Sequence, residues 1–291
     1  MIIIAESGAT KTDWCAIMKG GKTVSVKTPG MNVAVMQKDV IMAIISQAAE
    51  EFKAKGATEP VKSLHYYAAG LITSEGEKVP AVAKELHEAL CSLYPGAEME
   101  YASDLLAAAR SVCGHEDGIA AILGTGSNSC LFKGGKIVKN VRSAGFILGD
   151  EGGGACLGKL FMADFLKGLV PEDVSKEFAQ EFEVDYMTVV ANVYRGQAPS
   201  RYLGSFAPWI LERYDRSDYV KNLVDNNFRN FFTRALLQYD VKSYKVGVVG
   251  GFGNANKDIL MRTGEEYGVT FSKIIGSPIV GLIDYHSEGI E

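Results

Sequence analysis

Long hydrophobic runs are missing from this chain. Its longest uninterrupted apolar stretch, Val40 to Ile45, falls far short of the ~20 residues that a membrane-spanning helix needs. The first apolar run stops at Ala5 and no basic segment precedes it, so a secretory leader is not expected and a cytoplasmic setting is. Paired cysteines are missing too. Cys15, Cys91, Cys113, Cys130 and Cys156 are odd in number and scattered, with no Cys-x-x-Cys, which suits reduced thiols and excludes a disulfide scaffold. Nor is there an excess of one charge. With 30 basic against 35 acidic residues and no block of either sign, the chain carries no electrostatic footprint for nucleic acid or an anionic membrane. Any polyanion it holds is expected to be small. His65, His87, His115 and His286 lie at no metal-ligand spacing and read as ordinary core or surface residues.

What is present is a folded chain of 291 residues, 47% apolar, long enough for two domains with ordinary cores. Its organising stretch is Ile119-Ala-Ala-Ile-Leu-Gly-Thr-Gly-Ser-Asn128, a short buried strand feeding a small, hydroxyl-bearing, glycine-rich loop. Gly124 and Gly126 have access to positive φ and let backbone N–H groups approach an anion, while Thr125 and Ser127 add hydroxyls, so the loop reads as a phosphate cradle.

A second copy supports that reading. Met18-Lys-Gly-Gly-Lys22 and Phe132-Lys-Gly-Gly-Lys136 are the same hairpin turn, displaced by 114 residues from position 18 to position 132. Each follows an apolar strand and a polar glycine loop: Ile2–Ala5 with Glu6–Asp13, then Ile119–Leu123 with Gly124–Ser129. The displacement is too long for a solenoid repeat. Two domains of one fold are expected, each offering a phosphate loop to a cleft between them.

Between the copies, strand and helix alternate as in βαβ units. A meander of Ile2–Ala5, Trp14–Met18 and Thr23–Lys27 leads to a loop carrying Asn32, a covering helix from Lys38 to Lys55, a strand over 63–70 and a helix over 79–93. The strand Glu98–Ala102 delivers Ser103 and Asp104 to its carboxyl end, where a helix begins. Asp104 has two readings there, a helix N-cap or a ligand group outside the strand end. After the second meander, six glycines between positions 145 and 158 suit a loop wrapped round a ligand, with Asp150 and Glu151 its only charges; a ligand role is expected for Asp150. Helical patterns fill 172–238, including 200–213 and 218–237, and read as an insertion supporting a lid. Tyr244 to Gly253 returns to a strand followed by glycines, and a helix over 257–267, a strand over 269–275 and a helix from Pro278 close the chain.

In this order the motifs resemble the actin, sugar kinase and heat-shock ATPase superfamily, and within it the BadF/BadG/BcrA/BcrD-type ATPase and N-acetylglucosamine kinase family. Glu6-Ser-Gly-Ala-Thr-Lys-Thr-Asp-Trp14 resembles the first phosphate loop, Gly124-Thr-Gly-Ser-Asn128 the second, Gly145 through Gly152 the sugar segment, Gly250-Gly-Phe-Gly253 the adenosine loop, and Ser277-Pro-Ile-Val-Gly281 the closing helix. The resemblance implies an α/β protein of two ribonuclease-H-like, actin-like ATPase domains around a nucleotide cleft. The expected division is 1–113 and 114–277, with the helix of 278–291 packing back on the first.

It further implies an ATP-dependent sugar kinase using Mg²⁺. Asp104 would be the general base and also touch the sugar, with Asn32, Gly145 and Asp150. Gly8, Thr10, Lys11, Thr12, Gly124, Thr125, Gly126, Ser127, Gly250, Gly251 and Gly253 would hold the nucleotide and its phosphates. The family more often has Asp where this chain has Glu6, so Glu6 and Asp13 are both candidates for the metal. The expected partner is a small amino sugar, N-acetylglucosamine, glucosamine or N-acetylmuramate, with no nucleic acid and no membrane, and the helical insertion offers surface for a homodimer. Two alternatives share the motifs: an ATPase activator of acyl-CoA dehydratases, which needs cluster cysteines, and a non-catalytic sugar or nucleotide sensor.

Overall fold

The computed structural model describes residues 1–8, 11–33, 35–71 and 78–287. Thr10, expected in the first phosphate loop, lies outside them, as do the last four residues of the expected closing helix. By internal contacts the chain forms two compact units. One comprises Met1–Glu116, Gly134–Lys136 and the stretch from Ser277 onward; the other comprises Asp117–Lys133 and Ile137–Gly276.

The first unit is built on a five-stranded sheet in the order β3-β2-β1-β4-β5. Its strands are β1 (Ile2–Ser7), β2 (Lys11–Ile17), β3 (Thr23–Pro29), β4 (Ser63–Ala68) and β5 (Glu98–Ser103). The meander is antiparallel, whereas β4 and β5 join β1 in parallel. One face carries α1 (Lys38–Ala54) and α2 (Lys84–Leu93), whose Ile41, Ile45, Phe52, Leu86 and Leu90 are buried with Trp14 and Tyr66. Against the other lie α3 (Asp104–Cys113) and α13 (Ile279–Ser287), and Leu282 is buried among Ile4, Ile17, Tyr67 and Ala107.

The second unit repeats this plan: its sheet runs β10-β9-β6-β7-β8. Its strands are β6 (Gly118–Leu123), β7 (Ser127–Lys133), β8 (Lys136–Val141), β9 (Val246–Val249) and β10 (Phe271–Ile275). Here too the first strand pairs antiparallel with the second and parallel with the fourth. The Lys-Gly-Gly-Lys turns explain the common start. Gly20, Gly21, Gly134 and Gly135 all take positive φ, which matches the twist of paired strands and which side chains resist.

Helices of the second unit are α4 (Gly145–Leu148), α5 (Gly154–Leu166), α6 (Glu172–Glu181), α7 (Tyr186–Val190), α8 (Pro199–Gly204), α9 (Ala207–Leu211), α10 (Asp218–Arg234), α11 (Gly251–Ala255) and α12 (Lys257–Glu266). The single helix expected over 200–213 is two short ones, because Gly204 ends the first and Pro208, lacking an N–H, suits only the opening turn of the second. Phe161, Phe178, Trp209, Phe228 and Phe231 form an aromatic core against β6 and β9. Among the described residues, no helix is long and apolar enough to cross a membrane.

Candidate functional site

A group of acidic residues lies in the first unit. Glu6 and Asp13, expected in one loop, are instead directly opposite each other on β1 and β2, because strand pairing continues to Ser7 and Thr12. Beyond these pairs Gly8 N–H donates to Lys11 O at 2.9 Å. Ser7 Oγ lies 2.8 Å from Thr12 Oγ1 and accepts from Met31 N–H, and Thr12 Oγ1 donates to Pro29 O. Thr12 is fully buried in these bonds, so its hydroxyl is committed to Ser7 and Pro29.

Asp13 is also buried, with Lys11 Nζ at 2.6 Å and Lys27 Nζ at 4.0 Å from its carboxylate. Glu6 has neither lysine in contact. Its own burial, followed by the charges of Asp13 and Asp104, pushes its pKa up to about 7. Glu6 therefore senses both other carboxylates, although the oxygens of the three do not all come within 4.8 Å.

Asp104 opens α3 but does not cap it. The cap is Ser103, whose Oγ accepts from Leu106 N–H at 3.2 Å. Asp104 Oδ1 accepts from Leu105 N–H at 2.8 Å, and no side chain among the described residues donates to the carboxylate. Burial raises its pKa above the ordinary value. Asn32 is exposed, and its carbonyl accepts from Val35 and Met36 N–H.

In the second unit the loop after β6 is made almost wholly of backbone. Gly124 N–H donates to Gly126 O, while Gly154 and Ala155 N–H donate to Gly124 O and Thr125 O at 2.9 and 2.8 Å. The N-terminal N–H groups of α5 are thus occupied in holding the loop. Neither Gly124 nor Gly126 adopts positive φ. Glycine at 126 leaves room for another group: a Cβ there would lie 2.7 Å from Asp150 Oδ2. Asp150, itself at φ 58°, accepts from Ser127 N–H through Oδ1 at 3.2 Å. The segment expected to be loop throughout contains α4, which starts at the exposed Gly145 with φ 72°.

Sequence reasoning missed Asn227. Fully buried on α10, it accepts from Gly152 N–H at 3.1 Å and donates to Gly153 O at 3.3 Å, clamping the glycine segment. The available signal was an Asn at a core position of α10, on the face carrying Val220, Val224, Phe228 and Phe231.

Gly250, Gly251 and Gly253 are not a loop but the start of a helix, α11, with Gly250 at φ 131° just before it. Gly124, Thr125 and Gly251 share the wall of a cavity of about 760 Å³ with Pro208, Phe252 and Asn256. That volume lies within the range of small-molecule sites, ~300–1,000 Å³.

Two of the histidines meet in the first unit. His65, Glu100 and His286, from β4, β5 and α13, bring potential ligand atoms within 4.8 Å of one another. A metal does not suit them. The two imidazoles stack at 3.9 Å, which does not aim two lone pairs at one ion, and Arg110 donates to both oxygens of Glu100 at 2.9 and 2.7 Å. His65 Nδ1 completes that carboxylate at 2.6 Å, and Tyr67 Oη meets His286 Nε2 at 2.7 Å. The cluster fastens α13 to the sheet.

No family profile matches the chain, and no curated protein matches it. Solved structures do. A candidate N-acetylglucosamine kinase from Porphyromonas gingivalis is 38% identical over 99% of each chain, with a TM-score of 0.87. Another from Chromobacterium violaceum aligns over 98% of each chain at 19% identity and a TM-score of 0.72, and a candidate sugar kinase from Cytophaga hutchinsonii covers both chains fully at 14% and 0.53; these two share the fold. At 38% identity across 99% of both chains, the protein belongs to the N-acetylglucosamine kinase-like family of sugar kinases with the actin-like ATPase fold.

Proposed function

We propose that the protein transfers the γ-phosphoryl group of ATP to a hydroxyl of an amino sugar, N-acetylglucosamine or a close relative such as glucosamine or N-acetylmuramate. The observation that carries this reading is Asp104: a carboxylate made more basic by burial, oriented by one backbone N–H and free of side-chain partners among the described residues. In the proposed step the sugar oxygen attacks the γ-phosphorus, its proton passes to Asp104, and the bond to ADP breaks. General-base assistance of this kind is worth ~10²–10⁴ in rate.

Other residues fit by their chemistry. The cavity beside Gly251 and Phe252 accommodates a nucleoside, and the loop from Gly124 to Ser127 supplies small residues and hydroxyls for its phosphates. Gly8 and Lys11 flank the corresponding turn of the first unit, with Asn32, Gly145 and Asp150 assigned to the sugar. A divalent cation suits Glu6 better than Asp13. Glu6 lies in the field of two carboxylates with no lysine in contact, whereas Asp13 is already paired with Lys11. Mg²⁺, when bound with ATP, neutralises charge on the transferring phosphoryl group.

ADP release with ATP and Mg²⁺ against a panel of amino sugars tests the proposal. Release stimulated by one of them is expected. Sugar-independent release would replace it with an ATPase engine, and sugar binding without release with a sensor.

A further inference from the structure

In the first unit two buried hydroxyls hold the backbone that leads into Asn32. Ser7 ends β1 and Thr12 faces it on β2, and they are 3% and 0% exposed. A hydroxyl has one proton to donate and can accept as well. Thr12 Oγ1 donates to Pro29 O at 3.2 Å, so at 2.8 Å it accepts from Ser7 Oγ, and Ser7 Oγ in turn accepts from Met31 N–H at 3.1 Å. The hydrogen-bonded chain therefore starts and finishes on one segment, with Met31 N–H at one end and Pro29 O at the other. Asn32 is the next residue. Its neighbours Met31 and Val33 are buried whereas Asn32 is exposed, so the backbone is pinned on both sides of it.

The fold does not require this clamp. The second unit repeats the pairing, yet Leu123 stands there in the place of Ser7, opposite Ser127. A hydrocarbon side chain ends that strand equally well, and it brings no buried hydroxyl in need of partners. What the hydroxyl pair adds in the first unit is a fixed position for residues 29–31. Thr12 is also removed from the candidates for an anion, because its proton is committed to Pro29 O.

We propose that Ser7, acting with Thr12, is the positioning residue for Asn32: its hydroxyl fixes the Met31 backbone and so holds Asn32 where it meets the sugar. This rests on the reading of Asn32 as a sugar ligand of the proposed kinase. Fixing a ligand group beforehand lowers the ordering cost of binding, so the clamp should act on sugar affinity and not on ATP affinity.

Two measurements on the full chain test it. Hydrogen exchange at the Met31 amide needs neither sugar nor activity, and it should accelerate at least ~10-fold in Ser7→Ala and in Thr12→Val, since each opens the chain. Calorimetric titration with N-acetylglucosamine reads the consequence: Ser7→Ala should weaken binding ~10-fold, the scale of one lost hydrogen bond, with ATP affinity little changed. Trp14→Phe controls for stability alone. It removes the buried bond from Trp14 Nε1 to Thr28 Oγ1 between β2 and β3, and should lower the melting temperature without altering sugar affinity. Unchanged Met31 exchange in Ser7→Ala, or sugar binding that this variant leaves intact, would overturn the proposal while the kinase reading stands. A wild-type protein that binds no amino sugar would remove both. Equal losses of sugar and ATP affinity, or a Trp14→Phe variant that binds sugar as poorly as Ser7→Ala, would make Ser7 a purely structural residue.

Discussion

The end of the first strand sets the two units apart. In the first, pairing runs on through Glu6↔Asp13 to Ser7↔Thr12, and the strand ends themselves carry the acids. In the second, the equivalent pairs are Ile122↔Asn128 and Leu123↔Ser127, and no charge is supplied. The acid there is Asp150, held against Gly126 by a separate segment. One topology thus yields a charged strand end at which two neighbouring carboxylates perturb Glu6, and a cradle whose shape depends on glycine and backbone hydrogen bonds. The first should be sensitive to pH and charge removal, the second to added atoms.

The largest effect is expected at Asp104. Asp104→Asn should lower turnover by ~10²–10⁴ with ATP affinity little changed, because the amide keeps the shape and loses the base. Steady-state kinetics separate the two quantities. Equal losses in kcat and ATP binding would make Asp104 a structural residue and remove the contrast between the units.

Next is Gly126→Ala. A methyl group 2.7 Å from Asp150 Oδ2 must displace that carboxylate from its place beside Ser127 N–H. Sugar KM should rise at least ~10-fold while the melting temperature moves little, consistent with an Asp150–sugar contact worth ~1.5–3 kcal/mol. Unchanged KM would dissociate Asp150 from the sugar.

Asn227→Leu should destabilise the protein by ~1–3 kcal/mol, because it leaves Gly152 N–H buried without its partner, while Gly153 O keeps only Leu157 N–H. Urea unfolding measures this. A change below ~0.5 kcal/mol would mean that the clamp is not what holds the cradle.

The smallest effect concerns pH, and it belongs to the first unit alone. Glu6 binds a proton more readily folded than unfolded, so between about 4.5 and about 7 it makes stability fall as pH rises. His286 is the reverse case. Burial, then the charges of His65 and Arg110, lower its pKa to about 3, so its contribution is complete above 6.5 and is lost as pH falls toward 3. The two slopes oppose each other between 4.5 and 6.5. Glu6→Gln should unmask a steeper loss of stability on acidification, readable as melting temperature against pH. The same profile in wild type and variant would show that Glu6 titrates normally.

Much of this was written locally. Repeated Lys-Gly-Gly-Lys turns announced two related sheets, since positive φ in a two-residue turn is a property of the turn itself. Val40, Ile41, Ile44, Ile45 and Phe52 marked α1, and Ser103 with Asp104 marked a strand end feeding a helix. Where local reading erred, pairing or packing had intervened. Glu6 to Asp13 looked like a loop because polar residues usually are, yet cross-strand pairing carries β1 through Glu6 to Ser7 and includes Thr12 and Asp13 in β2. The glycines at 250–253 open a helix rather than a loop.

By itself, then, the sequence determined the two-fold repetition of an α/β unit, the identity of the glycine loops and the few acids that stand at strand ends, because turns, periodicity and composition act over a handful of neighbours. Only the tertiary structure decided that Ser103 and not Asp104 caps α3, that Asp150 fills the space a side chain at 126 would need, that Asn227 clamps the glycines, and that two distant histidines stack beside Glu100 and Arg110. Each of these joins groups that only packing brings together, and burial then makes their partners obligatory.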